Sequence, residues 1–225
     1  MKIKVVSTWN NNLFKKYAHR FQKTYNWPFE LEIYNEDDDM FDRIPELKKF
    51  ITRNHVDIPR GFLYDACRFA YKVYAYTQSI LETKDYDGLM FIDADTVFYK
   101  KIDEKWVKKY LHREDKMITH LHRPTYTECG FIYFNMRHSF IKQFAAEMRK
   151  MYDEDLLFKE DQQHDSFIFD IVRNKMEREY DIENYDIGDG RLGHVQARSI
   201  LGKVMDHTKG DRKIKGRSKE NIQIW

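Results

Sequence analysis

Glycine and proline are scarce in this chain, at 9 and 4 of 225 residues. Average usage of about 7% and 5% would give about 27 between them. That scarcity excludes collagen-like, linker-rich and low-complexity architectures. Cysteine is scarcer still. Cys67 and Cys129 cannot frame a disulfide scaffold or a four-cysteine zinc site, so reduced thiols in a reducing compartment are expected. Long apolar runs are missing as well: nowhere do about 18 apolar residues follow one another. The opening MKIKVVSTWNNN holds too short an apolar stretch for a leader's hydrophobic region. A soluble, cytoplasmic chain with no membrane span is the resulting expectation. An excess of one charge is also lacking. With 39 Lys and Arg against 37 Asp and Glu, the net charge is only +2, which argues against general nucleic-acid binding.

What is present points to a packed core. Aromatic residues make up 16% and hydrophobic residues 42%, too much for intrinsic disorder. The length suits one domain covering residues 1–225. Residues 3–6 are rich in β-branched side chains and read as a buried strand, and residues 7–12 as a polar turn. Leu13, Phe14, Tyr17, Phe21 and Tyr25 then fall at helical spacing, and residues 29–34 alternate as a second strand. Strand, helix, strand is the opening of an α/β fold with a parallel sheet. Further strands are expected at 88–92, 117–121 and 131–135. Helices are expected near 45–54, 61–81, 103–110, 139–152 and 165–175, the last capped by Asp165 or Ser166.

The sharpest local pattern is LMFIDADTVFYK. An apolar run, Leu89 to Ile92, ends in Asp93-Ala94-Asp95. Open α/β sheets bind ligands at the carboxyl ends of their strands. Two carboxylates alternating there can share a hard divalent cation of the kind that accompanies diphosphates. Asp-x-Asp recurs at Asp37, Asp85 and Asp153, but only the copy at Asp93 directly follows a strand-like apolar run. The alternative is a pair of acids opening a turn.

Two other stretches carry charge in unusual places. The segment GFLYDACRFAYKVYAYTQSIL is apolar around most of its circumference, yet Asp65, Arg68 and Lys72 form one polar stripe. Such a stripe either builds an internal ion-pair network or faces an anionic ligand. Between residues 203 and 219 lie seven Lys or Arg and two Asp, a local excess above the charge of the whole chain. That segment is either a solvated basic tail or an anion-binding flap. Within it, HTKGDRK offers an imidazole at His207, a permissive backbone at Gly210 and a point charge at Lys213.

FIDADTVF followed far downstream by His-x-x-Gly-x-x-Lys resembles the glycogenin-like, family 8 type of GT-A glycosyltransferase. The resemblance implies a Rossmann-like, mostly parallel central sheet flanked by helices. It implies a manganese (or magnesium) ion on Asp93, Asp95 and His207, with Gly210 and Lys213 on the donor diphosphate. It further implies a UDP-sugar donor, Ser7 and Thr8 around the uracil and ribose, and Tyr17 stacked nearby. Arg68 or Lys72 would meet the sugar or diphosphate, and Gly130 would line the donor sugar. Asp165, with Asp161 as rival, would sit at the reaction centre. The family's motif continues into Pro-Trp where this chain has Ile214-Lys215, and Glu128 and Cys129 replace small polar residues before Gly130.

The function so implied is hexosyltransferase-like: sugar transfer from a nucleotide diphosphate to an acceptor hydroxyl, with retention at the anomeric carbon. The acceptor is left open among glycan, lipid, protein and nucleobase. Residues 36–60 are the candidate acceptor loops, and residues 203–225 the segment closing over the donor. A metal-dependent nucleotidyltransferase or phosphohydrolase would use the same acids. A non-enzymatic nucleic-acid binding module would use the basic tail, against the near-neutral total charge.

Overall fold

A computed structural model of the chain describes residues 1–37, 40–55, 61–210, 212–216 and 218, with the backbone alone at 214. The expected residues 36–60 loop region therefore lies outside the described residues at 38, 39 and 56–60. So does the late basic segment at 211, 217 and 219–225.

The strands are β1 (Ile3–Trp9), β2 (Glu30–Asn35), β3 (Gly88–Ile92), β4 (Thr96–Phe98), β5 (Ile118–His120), β6 (Phe131–Asn135), β7 (Tyr185–Asp186) and β8 (Met205–His207). The helices are α1 (Asn11–Leu13), α2 (His19–Thr24), α3 (Met40–Arg43), α4 (Pro45–Asn54), α5 (Ala66–Glu82), α6 (Glu104–Tyr110), α7 (Ile141–Asp153), α8 (Asp165–Tyr180), α9 (Val195–Arg198) and α10 (Arg212–Lys215). A π-helical stretch, Phe14–Ala18, joins α1 to α2.

Six strands form a central sheet in the order β2-β1-β3-β6-β5-β7, and β4 pairs with β8 as a separate ribbon. β1 runs parallel to β2 and β3, and β5 parallel to β7; β6 alone runs against its neighbours. The sheet is mostly parallel and covered by helices, as the strand-helix-strand opening implied.

The pleat explains the two cores. Successive side chains of a strand face opposite sides. Leu89 and Phe91 of β3, with Val6, Ile132 and Phe134, pack under α3, α4, α5, α7 and α8. Met90 and Ile92, with Val5, Phe131 and Tyr133, face α2, α6, α9 and the β4–β8 ribbon. Both faces of β3 are buried, which is why its sequence is an unbroken apolar run rather than an alternation.

Several expectations need correction. The first half of the polar turn placed at residues 7–12 is strand: Ser7, Thr8 and Trp9 pair in register with Ile33, Tyr34 and Asn35, and Asn10 caps α1. Ladder bonds from a parallel neighbour outweigh the polarity of Ser and Thr. The helix expected at 61–81 begins only at Ala66, because the Asp65 carboxylate accepts from Arg68 N at 3.2 Å and caps it. A short 3₁₀ turn, Phe62–Tyr64, precedes it. The cap of α8 is His164, not Asp165 or Ser166, and that helix continues to Tyr180. The β4–β8 ribbon was not foreseen. Strands of three residues carry too little pattern to be read.

Candidate metal centre

β3 ends at Ile92 in the middle of the sheet, so the next residues emerge at the carboxyl edge between β1 and β6. Asp93 is held there by its amide, which donates to Gly130 O at 3.0 Å. The chain turns and re-enters as β4. There Thr96 pairs with His207 of β8, over a hundred residues later in the sequence. Thr208 fastens this junction: its amide and its hydroxyl both donate to Asp95 O, at 2.9 and 2.7 Å. The ribbon thereby carries an imidazole from the end of the chain to carboxylates from its middle.

One ligand atom each from Asp93, Asp95 and His207 lies within 4.8 Å of the others. His207 Nε2 is 2.9 Å from Asp95 Oδ1 and 3.5 Å from Asp93 Oδ2. Two oxygen ligands and one neutral imidazole suit a divalent cation such as manganese. Asp95 and His207 are buried while Asp93 stays partly open, which leaves a side from which substrate oxygens can approach.

Lysines complete the cluster. Lys213 Nζ is 2.9 Å from Asp95 Oδ2 and lies 4.5 Å from the centre of the Tyr17 ring. Lys72 Nζ reaches Asp93 Oδ1 and Asp165 Oδ2, each at 2.8 Å, and donates to Cys129 O at 3.1 Å. The ammonium thus bridges two carboxylates and hydrogen-bonds one backbone carbonyl. Burial alone would lower the Lys72 ammonium, but the carboxylates of Asp165 and Asp93 outweigh it and hold the group well above its ordinary value. Burial likewise opposes the charge on Asp95. The His207 ring and Lys213 overcome it, and the carboxyl lies well below its usual range. Lys213 is raised despite its burial, with Asp95 the main cause.

Behind His207 stands a group that sequence reasoning did not include. The Glu128 carboxylate is buried, with Oε1 3.7 Å from His207 Nδ1 and Oε2 ion-paired to Lys209 and, at 3.1 Å, to Arg123. Burial raises it, but Lys209, His207 and Arg123 bring it down to about 2. Its only sequence signal was a charge standing where the resembled family has a small polar residue. Gly130 is explained by the same crowding. A Cβ at that position would collide with Cε1 and Nδ1 of the His207 ring. Gly210 sits in the left-handed region, at φ 56°, in the turn that leads into α10.

The remaining residues named from sequence fall into two groups. Lys72, Asp165 and Gly130 join the acids, as do Lys213 and Tyr17. Ser7 and Thr8 lie at the carboxyl end of β1, but both are buried and internally bonded. Ser7 Oγ donates to Ile92 O at 2.6 Å, and Thr8 Oγ1 meets Tyr34 O at 3.0 Å and the Glu36 carboxylate at 3.1 Å. Arg68 is exposed and lies against the Phe69 ring, with no ion pair to the acids among the described residues. The polar stripe of α5 is thus divided: Asp65 caps, Arg68 faces out, and Lys72 alone reaches the centre. Asp161 is exposed, whereas Asp165 is buried in the cluster.

Beside Thr8, the Glu36 carboxyl is pushed up to about 7, chiefly by burial and also by Asp37, against hydrogen bonds from Thr8 and Asn10. No helix among the described residues is long and apolar enough to cross a membrane.

Among solved structures, the chain is similar to a glycosyltransferase involved in the glycosylation of the major capsid of PBCV-1. Identity is 11% over 96% of this chain and 98% of that one, with a TM-score of 0.48. It is similar to the WbbM bifunctional glycosyltransferase at 13% identity and a TM-score of 0.47, covering 76% of this chain but only 37% of that one. Against the galactosyltransferase LgtC, in complex with donor and acceptor sugar analogs, identity is 11% over 74% of this chain and 69% of that one, with a TM-score of 0.43. No family model and no curated protein matches the sequence.

Proposed function

We propose that the chain is a glycosyltransferase that transfers a sugar from a UDP-sugar to an acceptor hydroxyl, with a divalent cation on Asp93, Asp95 and His207. One observation carries this reading. An imidazole from the late His-x-x-Gly-x-x-Lys motif meets both carboxylates of the Asp-x-Asp motif, with ligand atoms within 4.8 Å. Those are the two motifs on which the resemblance to the glycogenin-like family rests. When bound, a manganese or magnesium ion supplies charge neutralisation for the departing diphosphate.

The chain's own residues supply the rest. Lys213, now on Asp95, exchanges that partner for a phosphate oxygen and adds positive charge where negative charge develops. Lys72 ties Asp165 to Asp93, so the carboxylate at the reaction centre is fixed relative to the metal ligands. The bond between the anomeric carbon and the diphosphate oxygen breaks, its electron pair leaving with the diphosphate. The acceptor oxygen bonds to that carbon and gives its proton to the departing diphosphate. Asp165 stabilises the positive charge that grows on the sugar, and retention at the anomeric carbon is the outcome the resemblance implies. Residues 1–225 act as one catalytic domain, with residues 203–225 closing over the donor. Cys67 and Cys129, neither of them in a disulfide, suit a reducing, cytoplasmic setting.

The test is calorimetry with UDP and UDP-sugars, with and without manganese, followed by product analysis. Manganese-dependent binding and release of UDP with a glycosylated acceptor are expected. Release of pyrophosphate or inorganic phosphate instead would turn the reading toward a nucleotidyltransferase or phosphohydrolase. Truncation after Met205 removes His207 and Lys213 and is expected to abolish manganese-dependent binding.

A further inference from the structure

The side chains of the metal centre nearly cancel one another in charge. The carboxylates of Asp93, Asp95, Asp165 and Glu128 are matched there by Lys72, Lys209, Lys213 and Arg123, four charges against four. An imidazole that ligates a metal is uncharged, so His207 adds nothing. These groups alone exert little pull on a distant anion. Positive charge that the mechanism does not use lies around them. Residues 13–29, 100–101 and 203–216 together hold eleven Lys or Arg and two Asp, in a chain whose net charge is only +2. Two of the eleven, Lys209 and Lys213, belong to the centre itself. The remainder of the chain is net negative, so positive charge is gathered into these three stretches.

The fold brings the three stretches side by side. Thr24 Oγ1 accepts from Phe98 N at 3.1 Å, Trp27 Nε1 donates to Lys100 O at 2.9 Å, and Lys100 N donates to Val204 O at 3.2 Å. The Arg20 guanidinium donates to Lys213 O. The helical stretch 14–24 therefore lies along the β4–β8 ribbon. Lys15 and Lys16 flank Tyr17, whose ring carries Lys213 Nζ at 4.5 Å. Lys100, Lys101 and Lys203 stand at the far end of the ribbon. A strand advances about 3.3 Å per residue, which puts Lys100 and Lys203 within about 17 Å of the acids. These five lysines and Lys23 are exposed. Lys15, Lys16 and Lys23 form no ion pair among the described residues. The exposed large apolar side chains, Phe62, Tyr64, Leu81 and Leu192, all lie on other segments. The face thus offers charge without an apolar anchor, and lysines are point charges with no fixed geometry of recognition. Such an arrangement makes a field rather than a binding pocket.

We propose that this lysine face is an electrostatic guide, which speeds the capture of an anionic nucleotide diphosphate at the metal centre without holding it once bound. This rests on reading that centre as the donor site. Fields of one sign around a cleft raise association rates by about 10- to 1000-fold and fall steeply with salt. The Debye length is about 30 Å at 10 mM ionic strength and about 10 Å at 100 mM. At low salt the whole face acts on an approaching diphosphate. At 100 mM the lysines beside Tyr17 act and those at the far end of the ribbon are screened. The guide sets how fast the donor arrives, and the contacts inside the centre set how fast it leaves.

The test is stopped-flow binding to the full chain with manganese, using fluorescent N-methylanthraniloyl-UDP as the probe. Lys15→Gln, Lys16→Gln and Lys23→Gln, combined, are expected to lower the association rate constant about tenfold at about 10 mM ionic strength. The dissociation rate constant should stay the same, and the difference should vanish by about 500 mM. Lys48, Lys49 and Lys142 are exposed on α4 and α7, which pack on the opposite face of the sheet from the ribbon. Lys48→Gln, Lys49→Gln and Lys142→Gln, combined, remove the same net charge and should leave the association rate unchanged. Matching melting curves establish that both triple variants are folded. An equal fall in the two variants, a change confined to dissociation, or a difference indifferent to salt overturns the proposal. Failure of the unmutated chain to bind the probe with manganese sinks the donor reading and the guide with it. Normal binding at one rate in all three proteins overturns the guide alone.

Discussion

β3 has an Asp-x-Asp sequence at each end. Asp85-Tyr86-Asp87 enters it and Asp93-Ala94-Asp95 leaves it. The entering pair lies at the amino edge of the sheet. Asp87 accepts from Lys2 N at 2.7 Å and from Arg137 Nε at 2.9 Å, and Asp85 is exposed. The hydrogen bond from Lys2 N, with the Arg137 charge, keeps the Asp87 carboxyl below its usual range. A cavity of about 740 Å³ opens at this edge, lined by Asp87, His112, Asn135 and Arg137 among others. The leaving pair gathers an imidazole, two lysines and a third aspartate. The contrast teaches that the motif alone does not mark the candidate site. What marks it is the carboxyl edge of a parallel sheet together with the arrival of a second segment. In this chain, that second segment is the β4–β8 ribbon.

The comparison can be broken most directly at Asp95. Asp95→Ala is expected to weaken manganese-dependent UDP binding by about a hundredfold or more in calorimetry, since even outer partners of metal ligands are worth about 10- to 100-fold. Asp87→Asn at the other end should leave that binding unchanged. Next in size is Lys72→Met. It leaves Asp93 and Asp165 facing each other without their shared cation, so a stability loss of about 3 kcal/mol is expected from thermal or urea unfolding. Gly130→Ala should follow, driving His207 off its position and weakening manganese binding by about tenfold while β6 stays paired.

Glu36 offers a smaller effect with a definite sign. Its folded-state value of about 7 lies above the ordinary 4.5, so the folded chain holds this proton more tightly than the unfolded one. Stability contributed by the protonated group is complete below about pH 4.5 and is lost as pH rises to 7. Glu36→Gln should flatten that decline, by about 2 kcal/mol between pH 5 and 8 in chemical unfolding. Asp87→Asn closes the series. Its surface pairing with Arg137 is worth about 0–1 kcal/mol, and a loss much larger than that would show the amino edge to be more than a solvated turn.

Much of this was legible in the chain itself. The strands at 88–92 and 131–135 lie where the apolar runs placed them, because a strand buried on both faces leaves an unmistakable pattern. The helix 45–54 was equally plain, opened by its proline. Capping was less so. Asp65 stood at helical spacing with Arg68 and Lys72, and spacing alone does not distinguish a carboxylate that caps from one that lies along the helix. The meeting of His207 with Asp95 had no local signature either; it was implied only by the resemblance to a known family that the two motifs carry, since pairing across such a distance leaves nothing periodic to read. Glu128 was noticed only as a departure from a pattern, and its role emerged from what packs against it. Ser7 and Thr8 were expected in a turn after the first strand and lie instead within β1, near its carboxyl end. That their hydroxyls bond inward depends on Ile92 and on Tyr34 and Glu36, carbonyls and a carboxylate that no reading of residues 7 and 8 reveals.

The β4–β8 ribbon has a consequence for biosynthesis. A nascent chain that has grown past Asp95 but not yet reached His207 holds two carboxylates and no imidazole to close around them. Chains fold from the amino end as they emerge. The last strand of the six-stranded sheet ends at Asp186, so every strand of that sheet is made before His207 can join the two carboxylates. The candidate cation site is thus completed only after the sheet's own residues have emerged.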